Sequence, residues 1–60
     1  MTGLDLRVER TKVRMSAEDV ARHMGVTRTR VTYIERLEQP TAVAIARYLA
    51  AITKAQEEAA

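Results

Sequence analysis

"SAEDVARHMGVTRTRVTYIE", residues 16–35, decides the reading of this chain. Ser16 stands in front of an apolar spacing of helical period, and Asp19 follows three residues later. A hydroxyl and a carboxylate so placed cap each other's backbone amides at the start of a helix. Val20, Ala21 and Met24 then share one side of a short helix over residues 17–24. Gly25 stops it, because glycine readily takes the left-handed conformation that ends a helix. Val26 plugs the turn, and Thr27 caps a third helix predicted over residues 28–37. Two short helices joined through a glycine form a helix-turn-helix pattern.

On the third helix Val31 and Ile34 face inward, and Thr29, Thr32, Tyr33 and Arg36 lie across the axis from them. The outward face therefore offers hydroxyls, a phenol and a guanidinium, and it carries no acid. A helix exposed only for solubility mixes Glu with Lys or Arg, so this face is read as one that recognises a partner through hydrogen bonds. Glu35 falls on the inward side, where an unpaired carboxylate is costly. Arg10 is the cation assigned to it.

Outward from this centre, a first helix is expected over residues 5–14, with Leu6, Val13 and Val8 turned inward. Gln39-Pro40-Thr41 breaks the chain again, since proline cannot continue a helix interior and Thr41 can cap the next helix. This fourth helix is placed at residues 42–56. Its apolar arc (Ala42, Val43, Ile45, Ala46, Tyr48, Leu49, Ile52) is wider than one small core requires. Part of Ile45, Ala46 and Leu49 is assigned to the chain's own core, and Tyr48, Ile52 and Leu49 to a dimer interface. Residues 1–4 and the end from Gln56 are expected to fray.

Composition agrees with an all-α, compact four-helix bundle forming a single domain over residues 1–60. The chain has no Phe or Trp, two Gly and one Pro, and is rich in Ala, Arg, Glu, Leu and Met, which favours helices over strands. At 60 residues it hides only about 60% of the surface its unfolded chain exposes. It has no cysteine to staple it, so helix packing or self-association must supply stability. The net charge of +2 is unevenly spread. Residues 7–36 hold eight basic side chains against four acidic ones, and residues 37–60 hold two against three. That asymmetry suits a polyanionic partner. No apolar run approaches the roughly 20 residues that span a bilayer, and the expected location is cytoplasmic, on the nucleoid when bound to DNA.

The stretch from Leu6 to Ile52 resembles the DNA-binding domain of the lambda-repressor or Cro type, the XRE family of prokaryotic and phage regulators. The resemblance rests on Leu6-x-x-x-Arg10, Ser16, Val20-Ala21-x-x-Met24-Gly25-Val26-Thr27, Val31, Ile34-Glu35-Arg36 and Pro40-Thr41, in that order. In that family the third helix enters the DNA major groove. The resemblance thus implies base reading by Arg28, Thr29 and Tyr33, with Arg30 and Thr32 at the margin. It implies phosphate contacts from Arg36, Arg22 and the capped helix starts at Ser16, Thr27 and Thr41, and an ion pair between Arg10 and Glu35. Three features depart from the family. Ala17 replaces a glutamine that reaches the DNA backbone, Leu37 replaces a glycine, and the chain ends soon after its fourth helix.

The expected function is that of a dimeric transcription regulator, a repressor that binds an inverted-repeat operator in double-stranded DNA and controls its own operon. Two other readings predict DNA binding as well: an antitoxin of a toxin-antitoxin pair, and a promoter-reading module like region 4 of sigma factors. No enzyme, cofactor, metal site, membrane association or small-molecule ligand is expected. His23 is the only histidine, and no cysteine or carboxylate cluster accompanies it.

Overall fold

The computed structural model describes residues 1–59. Within them the chain forms four helices, α1 (Gly3–Lys12), α2 (Ala17–Met24), α3 (Arg28–Arg36) and α4 (Ala42–Ala59). Leu6 of α1, Val20 and Ala21 of α2, Val31 and Ile34 of α3, and Tyr48, Ala51 and Ile52 of α4 make one core. Among the described residues no helix is long and apolar enough to cross a membrane.

The caps around α2 and α3 lie where the local chemistry puts them. Ser16 Oγ accepts from the Asp19 amide, and the Asp19 carboxylate accepts from the Ser16 amide. Ser16, through its backbone amide first and its hydroxyl second, holds the Asp19 carboxyl below its ordinary range. Gly25 sits at φ 73 and ends α2. Thr27 Oγ1 accepts from the Arg30 amide at the start of α3, and Thr41 Oγ1 from the Ala44 amide at the start of α4.

The ends of the chain depart from expectation. α1 begins at Gly3 instead of residue 5, because Thr2 and Asp5 form a second reciprocal cap. Gly3 is buried, and its amide donates to the Leu37 carbonyl at the end of α3 (2.8 Å). One of the donors that every helix start leaves over thus meets an acceptor left over at a helix end. The approach is so close that a side chain on Gly3 would strike the carbonyl oxygens of Ile34 and Glu35. Val8, expected inside, is exposed. At the other end α4 continues past Gln56 to Ala59.

The face of α4 is also turned from the one expected. Tyr48 is fully buried, and Ala51 and Ile52 are buried with it. Ile45 and Leu49 only flank the core, and Ala46 is exposed. The assignment of Tyr48 and Ile52 to a dimer interface is thereby corrected: their surface is already covered by α1, α2 and α3. The reason is a polar one, since the Tyr48 hydroxyl finds its acceptor on α3.

α1 ends at Lys12 instead of Arg14, and Arg14 itself is at φ 59. The Met15 amide bonds to the Arg10 carbonyl and the Arg14 amide to the Thr11 carbonyl, the same closure that Gly25 and Val26 make on α2. Arginine holds here a position that suits glycine, at a cost of about 1 kcal/mol. Arg14→Gly should therefore raise the thermal midpoint by a few degrees. Gly3→Ala should lower it, by about 1–3 kcal/mol of overpacking, and thermal melts of the two variants check both signs.

Candidate nucleic-acid interface

The orientation of α3 is set from beneath by one carboxylate. Arg10 donates from Nε to Glu35 Oε2 (2.8 Å) and from Nη2 to Glu35 Oε1 (3.2 Å), and its Nη1 donates to the Met15 carbonyl (3.0 Å). The Tyr48 hydroxyl donates to Glu35 Oε2 in a short bond. The two charged side chains are 15% and 8% exposed, which places the pair mostly out of water. Burial, and then the Glu35 acceptor, raises the Tyr48 phenol far above its ordinary range, so it remains a donor. The hydrogen bond to Glu35 likewise holds the proton on Arg10. Among the described residues no buried side-chain polar atom lacks a partner.

With Glu35 held inward, helical geometry turns Thr29 and Tyr33 outward. Both are exposed, Tyr33 by 51%. The Arg30 guanidinium lies over the Tyr33 ring, 5.2 Å from its centroid. Arg30 also borders a hollow with Val43 and Arg47 of α4, so it sits on the α4 flank of the exposed face. Thr32 is half-buried and its hydroxyl donates back to the Arg28 carbonyl (3.1 Å), which takes up its proton. Thr29 and Tyr33 are thus the hydroxyls best placed to meet a partner.

On the opposite flank an open groove of about 430 Å³ runs between α1, the start of α2 and α3. Arg7, Arg28 and Arg36 border it, with Ser16 and Ala17 at its α2 end. Among the described residues none of these three arginines forms an ion pair, and Glu18 is the one acid in the groove besides the engaged Glu35. Ala17 leaves the α2 end open. No protein-family model, curated protein or solved structure matches the chain.

The other expected contact residues are spread around this centre. Arg22 is exposed on α2 and pairs with Asp19 at 3.0 Å. Ser16, Thr27 and Thr41 are exposed, and each accepts a backbone amide at a helix start. Arg7 borders the groove as well, and sequence reasoning gave it no place in the site. Its signal was its position three before Arg10, which puts the two on neighbouring parts of one helix face.

The network on Glu35 makes a sharp energetic prediction. Arg10→Met alone should destabilise the fold by about 3–5 kcal/mol, because Glu35 is left charged and mostly buried. Replacing both, Arg10→Met with Glu35→Leu, should cost much less. Tyr48→Phe removes one bond to a charged acceptor and should cost about 1.5–3 kcal/mol. Denaturant unfolding of the single and double variants gives the coupling directly, and additive effects under about 1 kcal/mol would contradict it.

Proposed function

We propose that the chain is a sequence-specific, double-stranded DNA-binding transcription regulator of helix-turn-helix type that acts as a dimeric repressor. One observation carries the reading: the exposed face of α3 presents Thr29, Tyr33 and Arg30 without an acid, beside a groove bordered by three arginines that form no ion pair among the described residues. Base edges in the major groove are read by such hydroxyl, phenol and guanidinium groups, whereas phosphates are held by cations and helix-start amides on either side. The resemblance to the lambda-repressor type supports the same assignment.

In this reading Arg28 stands where α3 meets the groove and reads a base edge, with Thr29 and Tyr33 as its companions. Arg30 keeps the Tyr33 ring in place by stacking on it. Arg36, Arg7 and Arg22 hold phosphates, and the hydroxyls of Ser16, Thr27 and Thr41 keep their protons free to donate outward. Two copies sit on an inverted repeat whose half-site centres are about one helical turn apart, roughly 10 bp. They meet through the part of α4 left outside the core, around Val43, Ala46 and Ala50.

The experiment is a binding series on the DNA upstream of the gene, with a scrambled duplex as control. Tyr33→Ala and Arg28→Ala should each lose about 1–3 kcal/mol of discrimination while the melting transition stays in place. Arg7→Ala and Arg36→Ala should weaken binding to both duplexes alike and flatten the dependence of affinity on salt. Full discrimination in Tyr33→Ala and Arg28→Ala alike would refute the assignment of α3 as the reading helix.

A further inference from the structure

His23 lies at the end of α2, and its side chain is only 11% exposed. Its ring meets two oxygen atoms at once. Nδ1 is 2.8 Å from the Asp19 carbonyl and Nε2 is 2.8 Å from Glu58 Oε2 on the last turn of α4. A carbonyl oxygen has no proton to give, and neither has an ionised carboxylate, so both ring nitrogens must donate. Neutral imidazole carries one N–H and imidazolium two. The geometry therefore fits the charged ring alone.

We infer that His23 is a proton-binding site that fastens the end of α4 to α2, closed while the ring is charged and opened when it loses its second proton. The inference concerns the end of α4 and does not depend on what α3 recognises. On deprotonation the bond to the Asp19 carbonyl is the one kept, because it spans four residues of one helix turn. Nε2 then turns a lone pair toward the Glu58 carboxylate, and the two repel.

The surroundings agree with this. The charged groups around the ring are Asp19 and Arg22 on α2 and Arg47, Lys54 and Glu58 on α4, and Met15 closes the space from the turn after α1. Asp19 is engaged by Ser16 and Arg22, which leaves Glu58 as the carboxylate in contact with the ring. Despite Arg22, the Asp19 carbonyl first and Glu58 second raise the ring's affinity for its proton above the ordinary value. The bond from His23 in turn holds Glu58 below the ordinary carboxylate value.

The sign comes from both shifts. A histidine whose folded value is raised above about 6.5 contributes its stabilisation in full below that pH and loses it as pH rises through the folded value. Glu58 contributes above its ordinary value and is lost only as pH falls through the lowered one. The fastening is closed between those two limits and opens as pH rises through the raised histidine value. It also accounts for the three residues of α4 beyond Gln56, since nothing apolar at Glu57 or Glu58 holds that turn down.

The test is a proton and carbon NMR titration of the full chain from about pH 5 to about pH 9, a window that brackets the ordinary histidine value. The His23 ring should titrate above about 6.5, and the Cα shifts of Ala55, Glu57, Glu58 and Ala59 should move from helical toward random-coil values with the same midpoint. Glu58→Ala, a change at an exposed side chain, should lower the ring's midpoint and remove the pH response of the other three residues. His23→Ala should leave all four without a response across the upper part of that window, above the carboxylate range. A ring that titrates at or below the ordinary value, tail shifts that stay flat in the wild type, or the same tail response in Glu58→Ala would each overturn the inference.

Discussion

Glu35 is the point on which the molecule turns. It accepts from Arg10 of α1 with both oxygens and from Tyr48 of α4 with one of them, and Arg10 spends its remaining bond on the Met15 carbonyl in the turn before α2. Two helices and one turn are thereby referred to a single side chain on a third helix, α3. A chain of this size has a small core, eight buried apolar residues among those described, and no Phe or Trp. Apolar packing in such a core tolerates helix rotation, because hydrophobic contact has no direction. A bidentate ion pair does have one. It adds little net stability over a well-packed apolar alternative. Its consequence here is angular: once Glu35 points inward, Thr29 and Tyr33 have to point outward.

How much the sequence reveals depends on how far apart the deciding groups are. The caps at Ser16, Gly25 and Thr27 are settled within three or four residues of chain, so the bounds of α2 and the start of α3 are visible in the sequence. The Arg10–Glu35 pair spans 25 residues, yet an acid on an apolar helix side needs a cation, and that need is visible too. Gly3 gives no such signal. Its role comes from the carbonyls of Ile34 and Glu35 passing directly over it, which depends on where α3 ends relative to α1. The last turn of α4 is fixed by His23, 35 residues away from Glu58.

The face of α4 differs from its expected one for a related reason. Ile45, Tyr48, Leu49 and Ile52 lie on one continuous arc, and periodicity does not say which edge of an arc faces the core. Counting apolar residues favours the centre around Ile45 and Leu49. The hydroxyl decides otherwise, because a buried phenol needs an acceptor and the acceptor lies on α3. Rotating α4 to bring Tyr48 to Glu35 carries Ile52 and the small Ala51 into the core and leaves Ala46 outside. The same divide runs through the candidate interface. Exposed residues of α3 follow from its wheel, whereas the arginine groove is assembled from α1, α2 and α3 and belongs to no single periodicity.

Holding α3 by a carboxylate near its C-terminal end also divides the ties at its two ends between α1 and α2. The end near Glu35 and Arg36 is tied to α1 twice, through Arg10 and through the Gly3 amide on Leu37. The start, at Thr27 and Arg28, is tied to α2 through the short Gly25 turn and the shared packing of Ala21, Val20 and Val31. The helix is therefore fixed at both ends by groups on its inner side, and none of these ties uses Thr29 or Tyr33. Side chains on the outer face can be exchanged without loosening the scaffold. A rigid helix loses little conformational entropy when it meets a partner, so under the proposed function the target is free to change while the aim of the helix stays fixed.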